Sequence, residues 1–350
     1  MITIEKMIVH NLNLIGSAPI FSDSLIEFSE IDEIDEVLDF FKKHIETTRF
    51  QGHTKQCKFS NNISNNLKTY VTDIYDGFEL LGNTEAFELE FIEKSKLIAD
   101  HLSRSMRGRS PSDGSVFILL YSMDSISYIG ILKMDPNTGI QIKEDLKLKV
   151  YSQMLPSVKE KLHKSAFVKF TNDFDSQEVD LFALDKQQSK DEPAKYFMTG
   201  FLEAIEKANS ENMTQAIERE TKAEICALIQ SSPDKSKFSL KLKQKLISGD
   251  TFNLDEDLPI IAREFFEPGF NFEENLVTIK RSVTSKYPDA TFEFTPAPEK
   301  VKDLEFKSID KNVTIKINPE LSGELYKHYT DDENGDTIFR FDEILELDPK

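Results

Sequence analysis

The chain has 350 residues, 39% hydrophobic and 30% charged, with a formal net charge of −19. These values fit a soluble globular protein with room for one large domain or two ordinary ones, each able to bury a core. They exclude a general electrostatic attraction to nucleic acid or anionic lipid, so any nucleic-acid role must come from a local basic patch. Two distant cysteines, Cys57 and Cys226, form neither a disulfide framework nor a zinc pattern, and a reducing cytoplasm is expected. The start, MITIEKMIVHNLNLIG, carries Glu5 and lacks a cationic, apolar leader. No run of about 18 apolar residues offers a membrane span.

In chain order, IEKMIVHNL reads as a strand. IDEIDEVLDFFKKHIE places Ile34, Val37, Leu38, Phe41 and Ile45 on one helical face, with acids early and lysines late. NTEAFELEFIEKSKLIADHLSRSM has Asn83 or Thr84 as its cap and repeats Phe87, Phe91, Ile98 and Leu102 along one side. Next come SVFILLYSM and SYIGILKM, two apolar runs across a short polar turn, which predict a buried hairpin. SAFVKFTN and EVDLFALDK extend the strand series. The first half therefore reads as a mainly antiparallel sheet with packed helices.

The polar segment 185–195 marks a boundary, giving an α+β domain over 1–188 and a largely helical one over 189–350. Helices are predicted in AKYFMTGFLEAIEKA, MTQAIERETKAEICALI and KFSLKLKQKLI, the last ending at Gly249. NLDEDLPIIAREFF begins with Asn253 as cap and Glu256 three residues on, a pattern like a capping box. The last 60 residues return to strands: NVTIKINPE alternates, and LYKHYTDDENGDTIFRF is two runs joined through Asn334-Gly335, a hairpin signal.

Motifs for chemistry are sparse. The six histidines are scattered, and His53 with Cys57 makes an isolated pair rather than a metal site. No nucleophile elbow, P-loop or dinucleotide fingerprint is present. A calcium reading of TDDENGD fails, because Thr330 and Phe341 would fall where carboxylates are required. Asp289 after Pro288, with Glu305 and Lys307 two apart on a predicted strand, resembles a metal-dependent nuclease pattern. Such short combinations recur by chance in a chain rich in acids and lysines.

Charge is segregated. Segment 104–109 holds Arg104, Arg107 and Arg109 and carries +3. Segment 141–169, with Lys147, Lys149, Lys159, Lys161 and Lys164 among its seven lysines, carries +4. Segment 235–245, with Lys241, Lys243 and Lys245 among five, carries +5, which leaves −31 on the rest. Brought together, these would form a basic strip for DNA phosphates; left apart, they are ordinary solvated faces. The helix pair 238–248 and 254–266 suggests a helix-turn-helix. Its second helix, however, holds Asp255, Glu256, Asp257, Glu264 and Glu267 against Arg263, and phosphates would repel it.

Taken in order, several stretches resemble the bacterial nucleoid-associated protein family of the NdpA/YejK type. They run from IEKMIVHNL and FSDSLIEFSEIDEIDEVLDFFKKHI through DIYDGFELLGNTEAFELEFIEKSKLIADHLSRSM and GSVFILLYSMDSISYIGILKM. They continue through LFALDKQQSKDEPAKYFMTGFLEA and LISGDTFNLDEDLPIIAREFF to LEFKSIDKNVTIKINPE. The resemblance covers nearly the whole chain through element order rather than a catalytic signature. It implies a cytoplasmic, nucleoid-located, non-enzymatic DNA-associated protein, and it maps no binding residue. The expectation is an α+β homo-oligomer, a dimer, that meets double-stranded DNA with little sequence preference. The arginines and lysines named above would make the contacts, protein partners would lie on the nucleoid, and no cofactor, metal or membrane would be involved. The alternatives are a metal-dependent nuclease or DNA-sensing component of phage defence, and an interaction module reaching DNA only through a partner.

Overall fold

The computed structural model describes residues 1–14, 18–49, 54–60, 65–108, 113–142, 147–155, 164–171, 173–174, 180–185, 196–307, 312, 314–317, 326–330 and 337–341. The fold is α+β and divides into two compact units, Met1–Lys207 and Ala208–Lys350. Apart from Asp185, the polar segment 185–195 lies outside the described residues.

The first unit is built on a seven-stranded sheet. Its strands are β1 (Ile2–Asn11), β2 (Lys55–Phe59), β3 (Ser115–Met123), β4 (Ile126–Met134), β7 (Lys164–Lys169), β8 (Leu181–Asp185) and β9 (Ala204–Glu206). Between β4 and β7, strands β5 (Asn137–Ile142) and β6 (Leu148–Met154) pair as a separate ribbon. The order across the main sheet is β1-β3-β4-β7-β8-β2-β9, with every neighbouring pair antiparallel. Three helices accompany it: α1 (Ile34–Arg49), α2 (Asn66–Leu81) and α3 (Glu85–Met106).

The sheet is buried on both faces, so its central strands carry apolar residues at nearly every position. Ile118, Leu120, Ile129 and Val168 point to one side, where they meet Phe87, Phe91, Ile98 and Leu102 of α3. The alternate residues Phe117, Leu119, Tyr121 and Phe167 point to the other, onto Phe41 and Ile45 of α1. Each fully buried aromatic or aliphatic side chain contributes about 1.5–3 kcal/mol, which makes the two-sided core the main source of stability. Thr84 caps α3 by accepting from the Phe87 amide. Gly77 of α2 sits where α3 passes closest, and any Cβ there would run into the Glu90 carboxylate.

The hairpin between β3 and β4 turns through Asp124 and Ser125, at φ 52° and 67°. Both are left-handed, as two-residue hairpins require, yet neither is glycine. Ser125→Gly is therefore expected to raise stability by about 0.5–1 kcal/mol, since a left-handed L-residue costs about 1–2 kcal/mol and added unfolded-chain entropy offsets part of the relief. Asp124 is best left in place, because its carboxylate takes the N-terminal ammonium at 2.9 Å. A urea midpoint that fails to rise would contradict this account of the turn.

One predicted helix is replaced. Over AKYFMTGFLEAIEKA the described residues form a π-turn at Tyr196–Phe201 and then β9, which pairs with β2. Helix propensity loses to sheet pairing and to Glu203, which stands at φ 48°. Its carbonyl accepts from the Ser60 amide (2.8 Å), the Ser60 hydroxyl (2.7 Å) and the Asn65 side chain (2.8 Å). Three donors on one oxygen hold the chain in a conformation that ends the helix.

The second unit is mostly helical, with α4 (Ser210–Leu228), α5 (Ser232–Ile247), α6 (Leu254–Ala262) and α7 (Glu273–Lys286). Short strands β10 (Phe252–Asn253) and β11 (Glu293–Phe294) pair beside them. Two hairpins follow: β12 (Leu304–Lys307) with β13 (Thr314–Ile317), and β14 (Tyr326–Thr330) with β15 (Thr337–Phe341). The last matches the predicted terminal hairpin, although Asn334-Gly335 itself lies outside the described residues. Asn253 caps α6 as expected, but Asp257, not Glu256, returns the bond by accepting from the Asn253 amide. Helix α7 was not anticipated. Its run of Val, Thr and Ile lowers helix propensity, and Phe272 at its start makes no side-chain cap bond.

Candidate nucleic-acid interface

The arginine cluster begins on the last turn of α3. Arg104 pairs with Asp100 one turn earlier, so the cation both closes an i,i+4 bridge and faces the negative end of the helix dipole. Arg107 is the C-cap; its amide donates to the Ser103 carbonyl at 2.9 Å and its side chain is exposed. Gly108 follows at φ 72°, the left-handed step that ends a helix. Arg109 lies outside the described residues. The chain returns at Asp113, whose carboxylate accepts from the Leu14 amide, and at Gly114, whose carbonyl accepts from the Leu12 amide. Arg107 thus sits on a loop anchored at both ends.

The helix end is also tied down from behind. The Ser105 hydroxyl lies within hydrogen-bond distance of the His101 and Gly200 carbonyls, at 2.9 and 3.1 Å. His101 Nε2 lies 3.0 Å from the Phe201 carbonyl and 3.3 Å from the Glu203 carboxylate. That carboxylate in turn accepts from the Asn66 side chain (2.8 Å) and amide (3.2 Å). Burial pushes the His101 pKa down, against the opposing pull of Glu203. This half-buried polar cluster positions the loop. No motif announced it, because its members come from three separate stretches of sequence.

Of the lysines in the second basic segment, Lys147 and Lys149 are exposed on the β5–β6 ribbon. Lys159 and Lys161 lie outside the described residues. Lys164 does not belong to a basic surface: it is 1% exposed and its ammonium meets Asp185, itself fully buried, at 2.7 Å. Reaching a phosphate would mean breaking that pair inside the core.

The third segment is similarly neutralised. Lys241 pairs with Glu264 at 2.6 Å and Lys245 with Asp257 at 3.2 Å. Lys243 is 2% exposed, pairs with Glu218 at 2.9 Å and donates to the Lys302 carbonyl. Lys241, Lys243 and Lys245 of the run of five thus answer acids on α4, on α6 and just after α6, and Lys237 lies 3.6 Å from Asp234 on its own helix. The acids of α6 are answered in the same way, with Asp255 on Lys280 at 2.6 Å.

The nuclease pattern does not assemble. Glu305 and Lys307 do share strand β12, as predicted, but Glu305 faces Lys316 across the hairpin at 3.7 Å. Asp289 accepts from the Ala208 amide at 3.2 Å. Among the described residues no three His, Cys, Asp or Glu side chains gather to hold a metal. His53 lies outside them, and burial raises the Cys57 thiol far above its ordinary pKa, which leaves it unreactive. No described helix is long and apolar enough to cross a membrane.

Compared with known proteins, the chain matches the profile of a family described as nucleoid-associated protein YejK over residues 8–340. No curated protein matches it.

Proposed function

The chain belongs to the nucleoid-associated protein YejK family, and on that premise we propose that it contacts duplex DNA directly, through phosphates and without catalysis. The nucleoid-associated role comes with the family; the mode of contact is our reading. Support for it is the exposed Arg107 beside a left-handed glycine on a doubly anchored loop, with Arg109 next in sequence. An exposed guanidinium on a helix C-cap suits phosphate, and the adjoining backbone can bring amides toward the same oxygen atoms. Among the described residues, Arg104, Lys147 and Lys149 are further exposed cations of this unit that belong to the expected set, Arg104 being paired with Asp100. Lys164 and Lys243 are left out, because both are buried and committed to carboxylates. Among the described residues no recognition helix supports base readout, so little sequence preference is expected.

The test is binding to a duplex of arbitrary sequence, followed by fluorescence anisotropy across a salt series. Affinity should fall steeply with salt. Replacing Arg107 and Arg109 together with alanine should lower the slope by up to about two phosphates while leaving the unfolding midpoint nearly unchanged. Binding that ignores salt, or a slope unmoved by the double substitution, would refute the phosphate reading of this loop.

A further inference from the structure

The β5–β6 ribbon is out of place in a monomer. A lone two-stranded hairpin is at best marginally stable in water unless something covers one face. This one forms a sheet of its own, and its residues alternate. Ile140 stands directly opposite Val150, and Leu148, two positions from Val150, shares that face. Their exposures are 66%, 64% and 68%, and Met154 and Leu155 beside them are also open to solvent. By the same alternation Lys147 and Lys149 fall on the opposite face.

We propose that this apolar face is covered by the same face of a second copy of the chain, making the ribbon the arm of a homodimer. Three observations favour that occupant. First, the patch is on the order of 500 Å² per copy, so a self-paired face reaches the ~1,000 Å² that a specific interface needs. Second, a chain of net charge −19 repels its twin over most of its surface. Segment 137–154, with Lys143, Lys147 and Lys149 against Glu144 and Asp145, carries only +1, so two copies can approach there. Third, stacking the aliphatic faces sends Lys147 and Lys149 of both copies outward, away from each other. A DNA groove is the poorer fit for that face, because Ile140, Leu148 and Val150 offer phosphates no cation.

A twofold contact of this kind is self-complementary, and substituting one residue strikes both sides of it. Light scattering coupled to size exclusion should give twice the chain mass for the wild type across a wide concentration range. Leu148→Glu with Val150→Glu should raise the dimer dissociation constant at least about a hundredfold, because carboxylates would be buried against an apolar face. Val150→Thr, a milder change that strands tolerate, should weaken the dimer to a lesser degree. Lys149→Glu, on the opposite face, should leave the mass unchanged. A monomeric wild type, or a double variant that remains dimeric, overturns the proposal. So does a monomeric wild type whose double variant loses DNA affinity, which would assign the face to nucleic acid.

Discussion

Asp185→Ala is expected to destabilise the first unit by about 3–5 kcal/mol. Lys164 and Asp185 face each other across the ladder of β7 and β8, and both are buried. Removing the carboxylate leaves an ammonium in the core, with the Tyr196 ring 5.3 Å from it and the cation Lys133 near enough to be felt. The loss measures the stranded charge rather than the net value of the pair. Replacing both members, as Lys164→Met with Asp185→Leu, should therefore recover most of the stability, and urea midpoints of the two single variants and the double variant would show strong non-additivity. Equal, additive losses would mean that the pair is solvated and that Lys164 belongs to the surface after all.

That pair also illustrates what the sequence hid. Lys164 closes a run of basic residues, and nothing local distinguishes it from Lys161 or Lys159; its partner lies 21 residues away on another strand. Lys243 was hidden for the same reason, since Glu218 reaches it from a different helix. By contrast α1 and α3 were legible almost residue by residue, because helical periodicity is a local signal and Phe41, Ile45, Phe87 and Phe91 all proved buried. The sheet was legible through its apolar runs. Strand β9 was not, since the donors that hold Glu203 come from Ser60 and Asn65, far upstream. The ribbon carried a readable clue in the alternation of Ile140 and Ile142, then Leu148 and Val150, which the lysines of the same segment masked. Charge counted along a chain says little about charge presented in space until each cation's partner is known.

Acid should weaken the protein through His10, and the direction follows from its surroundings. The ring is buried in β1, packed edge-on against Phe21. Its Nδ1 accepts from the Ser22 amide at 3.1 Å, which requires the proton to be on Nε2, and Nε2 then donates to the Ser95 hydroxyl at 2.9 Å. Ser95 passes the chain on by donating to the Ile92 carbonyl at 2.6 Å. Each partner suits the neutral ring. Protonating Nδ1 would set two donors face to face and place a charge in the core. Burial, aided by the Lys96 ammonium, accordingly lowers the pKa from 6.5 to about 4. Between those values the unfolded chain binds the proton and the folded one does not, so stability falls as pH drops from about 6.5 towards 4. The loss amounts to at most about 3 kcal/mol. His10→Gln removes the titration while keeping a donor and an acceptor in the site. Its own stability should be lower at neutral pH, because the ring packing on Phe21 is lost, but the slope between pH 6.5 and 4 should be flatter than that of the wild type. Urea titrations at closely spaced pH values would measure both slopes on the same carboxylate background, and parallel curves would show that His10 titrates alike in the folded and unfolded chain.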